Sequence, residues 1–276
     1  MVSPLRLESV VGFSGKVKNS LILHPDDTHM IHPLGSTIVI KNVEDPSDQI
    51  FLQGHSGRVT CMALSRDGNT LASGQITQNG SIADIILWDL SGLTAETKSE
   101  PLLIVRLKLH KGLVQALDFS CDGNYLASIG GVDDNNLVVW NVAKGEAICG
   151  SPASHDTSLT VKWMNTSECD LVTGGIKVLR TWKFNGGKVS PVEVQTYKDE
   201  RTFTCIAVSD DDSTLYCGTT TGQSPTHVKG ICPHQGAVHT PHQGAHCVSR
   251  AWISPVGAVH SPWLILPPQV TFSPSP

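Results

Sequence analysis

A chain of 276 residues with 20 basic and 25 acidic side chains carries a formal charge of −5 at pH 7. No Lys/Arg cluster of the kind that tracks a phosphate backbone interrupts this mild acidity, which disfavours nucleic-acid binding. Met1 to Glu8 lacks an apolar signal core, and no stretch approaches the roughly 18 apolar residues of a membrane span. The cysteines then read as reduced cytosolic thiols, without the Cys-x-x-Cys spacing of a zinc site.

The first predicted unit is Leu21-Ile22-Leu23, the turn His24-Pro25-Asp26-Asp27, then Met30-Ile31 and a strand from Thr37 to Ile40 followed by Lys41. The second opens at Gly54-His55 and continues through a strand from Val59 to Leu64, the turn Ser65-Arg66-Asp67-Gly68-Asn69 and the triplet Leu71-Ala72-Ser73. After an insertion from Gln75 to Ser81 it closes at Trp88-Asp89. The third runs from His110 through Val114 to Phe119, the turn Ser120-Cys121-Asp122-Gly123-Asn124 and Leu126-Ala127-Ser128 to Trp140. The fourth has His155, Leu171-Val172-Thr173 and Trp182, and a fifth begins with Phe203 to Val208, the turn Ser209 to Ser213 and Leu215 to Thr219. Asp, Gly and Asn supply the positive φ and local hydrogen bonds of tight hairpins, so strand-turn-strand is repeated along the chain. In the first unit Lys41 stands where the later units have Trp.

His55, His110 and His155 each precede the triplet by 16 residues. Self-similarity at a period of roughly 40 to 55 residues, with Gly-His opening and Trp-Asp closing, is the sign of four-stranded propeller blades. The fold class is therefore all-β, a WD-repeat β-propeller that is incomplete at about four and a half blades, followed by a disordered tail. In such a blade the Trp indole donates to a Ser or Thr hydroxyl, the hydroxyl bonds a buried His, and the His bonds an Asp before the Trp strand. The expected set is complete in the third unit with His110, Ser128, Asp134 and Trp140. The second offers His55, Ser73 and Trp88, its nearest Asp being Asp84; the fourth offers His155, Thr173 and Trp182, with Ile176 where the Asp would stand.

His, Ser and Asp together invite a hydrolase reading. The trio recurs at fixed spacing in successive units and no Gly-x-Ser-x-Gly elbow accompanies it, so its role is structural and no enzyme is expected. Gly12-Phe13-Ser14-Gly15-Lys16 is too short for a phosphate loop and has Val17 in place of the magnesium-binding hydroxyl. No cofactor and no metal is expected.

After Gly222 the composition changes. Gln223 to Pro276 holds no acid and is dense in Pro, Gly, Ser and His. The cluster Cys232, His234, His239, His242, His246 and Cys247 matches no zinc-finger spacing and reads as low complexity. Two regions are expected: a partial propeller over 1–222 and a disordered Pro/His/Gly-rich tail over 223–276; a replacement terminus from splicing or read-through would explain the abrupt change.

Four segments carry a family resemblance: Phe51-Leu52-Gln53-Gly54-His55, Ala83-Asp84-Ile85-Ile86-Leu87-Trp88-Asp89, Ala147-Ile148-Cys149-Gly150-Ser151-Pro152-Ala153 and Gly218-Thr219-Thr220-Thr221-Gly222. Over about residues 9 to 222 the chain resembles the cilia- and flagella-associated protein 52 family of WD-repeat microtubule inner proteins. The resemblance implies a structural, non-catalytic protein that supports ciliary beating. Its expected partners are the tubulin lattice of doublet microtubules and other ciliary inner proteins. It implies a location in the cytoplasm and cytoskeleton, at the axoneme of cilia and flagella, with neither nucleic acid nor membrane as partner. Family members carry two tandem propellers, so this chain is expected to be a short form whose open arc is marginally stable. The repeat alone supports a second reading, a general WD-repeat adaptor that scaffolds a soluble complex.

Overall fold

The computed structural model describes residues 20–78, 80–93, 101–166, 170–196 and 202–220, with Ser9, Val10, Gly12, Phe13, Gly15 and Val17. The predicted boundary at Gly222, the tail 223–276 and its Cys/His cluster lie outside the described residues. Within them every regular element is a strand. The first sheet holds β1 (Ile22–Leu23), β2 (His29–Leu34), β3 (Thr37–Asn42) and β4 (Gln49–Gln53). The second holds β5 (Val59–Leu64), β6 (Thr70–Gln75), β7 (Ile82–Asp89) and β8 (Leu102–Lys111). The third holds β9 (Val114–Phe119), β10 (Tyr125–Gly130), β11 (Asn136–Asn141) and β12 (Glu146–Pro152). The fourth holds β13 (Ser158–Trp163), β14 (Asp170–Gly175), β15 (Val178–Phe184) and β16 (Val189–Thr196). A two-stranded sheet, β17 (Phe203–Val208) and β18 (Leu215–Thr219), begins a fifth. All pairs are antiparallel meanders, and the inner strands β5, β9, β13 and β17 follow one another around the inside of the arc.

Side-chain alternation explains why the blades stack. On β6, Leu71 packs with the first blade while Ala72 packs with the third; on β10, Leu126 faces back and Ala127 faces forward. The apolar clusters are therefore shared between adjacent blades, and no sheet has a core of its own. Leu117, Phe119, Val138 and Trp140 of the third blade join Ile85, Leu87 and Leu107 of the second. Ala127, Ile129, Leu137 and Val139 join Val161, Trp163 and Phe184 of the fourth. Period-2 burial on both faces is what a sheet between two neighbours requires.

The inner hairpins repeat one design. Ser65, Ser120 and Ser209 each donate to the Asp two residues on, at 2.6, 2.5 and 2.7 Å. The next residue takes a positive φ: Gly68 at 82°, Gly123 at 74° and Asp212 at 58°. Asp212 also binds the backbone N–H groups of Asn165 and Thr166 in the neighbouring hairpin, both at 2.7 Å, which places these turns on one face of the arc.

Candidate functional site

The network residues occupy equivalent ladder positions. Ser73 lies opposite Met62, Ser128 opposite Leu117 and Thr173 opposite Val161. In the third blade Trp140 Nε1 donates to Ser128 Oγ at 2.7 Å, His110 Nε2 lies 2.7 Å from the same oxygen, and His110 Nδ1 lies 2.5 Å from Asp134 Oδ2. Asn136 Nδ2 donates to the other Asp134 oxygen at 2.5 Å. Burial raises the Asp134 carboxyl, but the bonds and charge of His110, with Asn136 and the Lys111 backbone, outweigh it and hold the group below its ordinary value.

The second blade brings together His55, Ser73 and Trp88, with Trp88 Nε1 to Ser73 Oγ at 2.8 Å and His55 Nε2 to Ser73 Oγ at 2.7 Å. Its acceptor for His55 Nδ1 is Gln75 Oε1, at 2.9 Å. Asp84 is turned to the next strand and pairs with Arg106 at 3.2 Å. Gln75 was not singled out by sequence reasoning as an acceptor, because an amide at the end of the second strand breaks the expected pattern of an acid before the Trp strand. Gln75 pairs with Val59 as Gly130 pairs with Val114, so the two blades differ by moving the acceptor between two positions.

In the fourth blade Trp182 Nε1 donates to Thr173 Oγ1 at 2.9 Å, but His155 is exposed. The connection between β13 and β14 spans 164–169, against 65–69 and 120–124 in the preceding blades. That extra residue restores the count of 16 while shifting the register: relative to the inner strand, Ser154 occupies the position of His55 and His110. Asn135 secures this segment instead, donating to the carbonyls of Ser154 at 2.8 Å and Asp156 at 2.6 Å and accepting from Ser158 N at 3.0 Å.

These networks are closed to reactants. Ser73 and Ser128 are fully buried and their oxygens are already shared between an indole and an imidazole. Burial pushes the thiols of Cys61 and Cys217 up to about 12, which keeps them neutral and unreactive. The exposed chemistry lies elsewhere. Leu102, Leu103 and Ile104 form an apolar run on the outer strand β8, with Arg106 and Lys108 further along the same edge. Charges of this kind blunt an edge strand against indiscriminate pairing.

Burial holds His55 below its ordinary value, with Arg106 adding to the effect and Gln75 and Asp84 opposing it; burial does the same to His32. An imidazole with a depressed pKa binds fewer protons folded than unfolded, so stability is full above the unfolded value and declines below it. The melting temperature is therefore expected to fall as pH is lowered from about 7.5 to about 5.5, through the ordinary imidazole range. Asp134 adds a second loss only at lower pH, where its carboxyl protonates. Calorimetry across this interval checks the sign, and a melting temperature that rises on acidification contradicts it.

The WD domain, G-beta repeat model matches residues 47–83 and 102–141, the first match beginning just before the outer strand of the preceding blade and the second on it. Cilia- and flagella-associated protein 52 of Chlamydomonas reinhardtii is 50% identical over 224 residues, covering 80% of this chain and 35% of that protein. Over most of its length the chain is similar to this WD-repeat protein. The human relative of the same name is 43% identical over 226 residues, again covering 80% of this chain and 35% of its own length. The chain thus spans about a third of the length of these relatives. The crystal structure of RRP9 WD40 repeats superposes with a TM-score of 0.57 at 21% identity, covering 74% of this chain and 58% of that one, and supports the propeller fold alone.

Proposed function

We propose that this chain is a structural, non-catalytic protein of motile cilia and flagella, bound within axonemal doublet microtubules as a microtubule inner protein. The observation that carries the reading is the similarity to cilia- and flagella-associated protein 52 over 80% of the chain. The geometry supports it, because the recurring His, Ser and Trp groups are spent on one another inside the blades. Contact with the tubulin lattice and neighbouring inner proteins then falls to hairpin tips and outer strands. A soluble adaptor is the second reading, favoured by the exposed Leu102, Leu103 and Ile104 on β8, a protein-binding edge of ordinary WD-repeat type.

The two readings separate by fractionation. A fraction of tagged chain from ciliated cells is expected to co-sediment with demembranated doublets. Recovery in a discrete soluble complex, with none on doublets, supports the adaptor and overturns the inner-protein reading.

A further inference from the structure

We propose that the first hairpin, His24 to His29, is a binding site for a divalent transition metal such as zinc, with His24, Asp26 and His29 as its protein ligands. The donor atoms of the three residues lie within 4.8 Å of one another. Asp26 Oδ2 stands 3.0 Å from His24 Nδ1 and 2.6 Å from His29 Nδ1. Its other oxygen accepts the backbone N–H groups of Thr28 at 2.9 Å and His29 at 3.0 Å, which fixes the carboxylate and leaves Oδ2 for the site.

The hydrogen bonding of His24 asks for a cation. Its Nε2 lies 3.1 Å from the Gly68 carbonyl, an acceptor only, so the proton of a neutral ring is on Nε2. Its Nδ1 lone pair then faces Asp26, where it accepts only a long 3.4 Å bond from the Asp26 backbone N–H and lies 3.0 Å from Asp26 Oδ2, which leaves it available to a cation. A ring N–H committed to a backbone carbonyl is also the usual outer support of a metal-bound imidazole.

Comparison with the other blades shows that the turn does not need these rings. At the position of His24 the equivalent hairpins carry Ser65, Ser120 and Ser209, and at that of His29 they carry Thr70, Tyr125 and Thr214. The Asp is common to all four hairpins, so the first has gained two imidazoles around a carboxylate already pinned by the turn. Both rings are buried, at 7% and 3% exposure, while Asp26 is partly open. Two imidazoles and a carboxylate suit zinc and its neighbours better than magnesium or calcium, with water completing a tetrahedron. Ligand bonds of about 2.0–2.2 Å in a tetrahedron require Asp26 Oδ2 to move away from His24 Nδ1 by about 0.3 Å or more and from His29 Nδ1 by about 0.7 Å or more, a shift that side-chain rotation can supply. Because His24 also bonds Gly68, an ion there would brace the first blade against the second.

The test uses the full chain, stripped of metal and titrated with Co(II) and Zn(II). Expected results are uptake of one Co(II) with ligand-field bands but no thiolate charge-transfer band, and a zinc-dependent rise in melting temperature. Asp26→Asn, which keeps the acceptor for Thr28 and His29, should abolish both while leaving the circular dichroism spectrum unchanged; His24→Ala should do the same. A Cys232→Ser/Cys247→Ser variant controls for the Cys/His-rich tail and should bind as the parent does. Absence of uptake, uptake preserved in Asp26→Asn, or a thiolate band that disappears in the Cys variant overturns the proposal.

Discussion

The double variant Gly130→Gln/Asp134→Ala is expected to recover most of the stability that Asp134→Ala alone removes. In Asp134→Ala the His110 Nδ1–H, on a ring with no exposure, loses its acceptor. An unsatisfied buried donor of this kind costs about 1–3 kcal/mol. In Gly130→Gln alone, the new Cβ would collide with Asp134 Oδ2 and come 2.8 Å from His110 Nδ1. Overpacking of that sort costs about 1–3 kcal/mol as well. The second blade already shows the combined solution: Gln75, at the position of Gly130, places Oε1 2.9 Å from His55 Nδ1 and accepts the Ser56 N–H at 3.2 Å. Urea unfolding of the four members of the cycle measures the coupling. Simple additivity of the two losses would show that the second-blade acceptor is not transferable and that Gly130 serves another purpose.

A second expected result is a large loss of microtubule affinity relative to a full-length relative. If contacts are distributed over a tandem-propeller protein, a chain spanning about a third of that length engages fewer of them at once. Loss of linked sites lowers avidity by about 10²–10⁴-fold without altering any single contact. Expressed in ciliated cells lacking the endogenous protein, the 276-residue chain is expected to enter doublets weakly and restore beating only in part. Quantitative imaging of doublet incorporation, side by side with the full-length relative, reads this directly. Equal incorporation and full rescue by the shorter chain would show that the blades described above hold the whole binding surface.

Much of the fold was legible because its determinants are local. Tight turns such as Ser65 to Asn69 and Ser120 to Asn124 sit between alternating apolar runs, and their strands fall where the sequence places them. The networks were harder to read, since they depend on register across a sheet and not on linear spacing. His155 satisfies the count to Leu171 yet lies outside the network, because one residue added to the hairpin at 164–169 compensates for one position lost before the inner strand. Gln75 was hidden by its chemistry: an amide carbonyl replaces the carboxylate and reaches the same imidazole nitrogen from a different strand position. The His24, Asp26 and His29 cluster was read only as a turn, because nothing in its linear order reveals that both rings close on one carboxylate oxygen.

The strand that ends the second blade carries the histidine for the third. His110 closes β8 of the second sheet but bonds Ser128 and Asp134 of the third. This has a consequence for how the protein is made on the ribosome. Synthesis delivers His110 before any of the groups it will bond, on a sheet whose other strands have already emerged. The third blade then assembles against a second whose strands are already made, with its imidazole waiting at the edge, and N-terminal units can set before later ones arrive. Growth of the arc is directional, like a zip with its slider at the exit tunnel. Cutting the gene between the second and third sheets would strand His110 in the wrong fragment, whereas a cut just before β8 keeps donor and acceptors together.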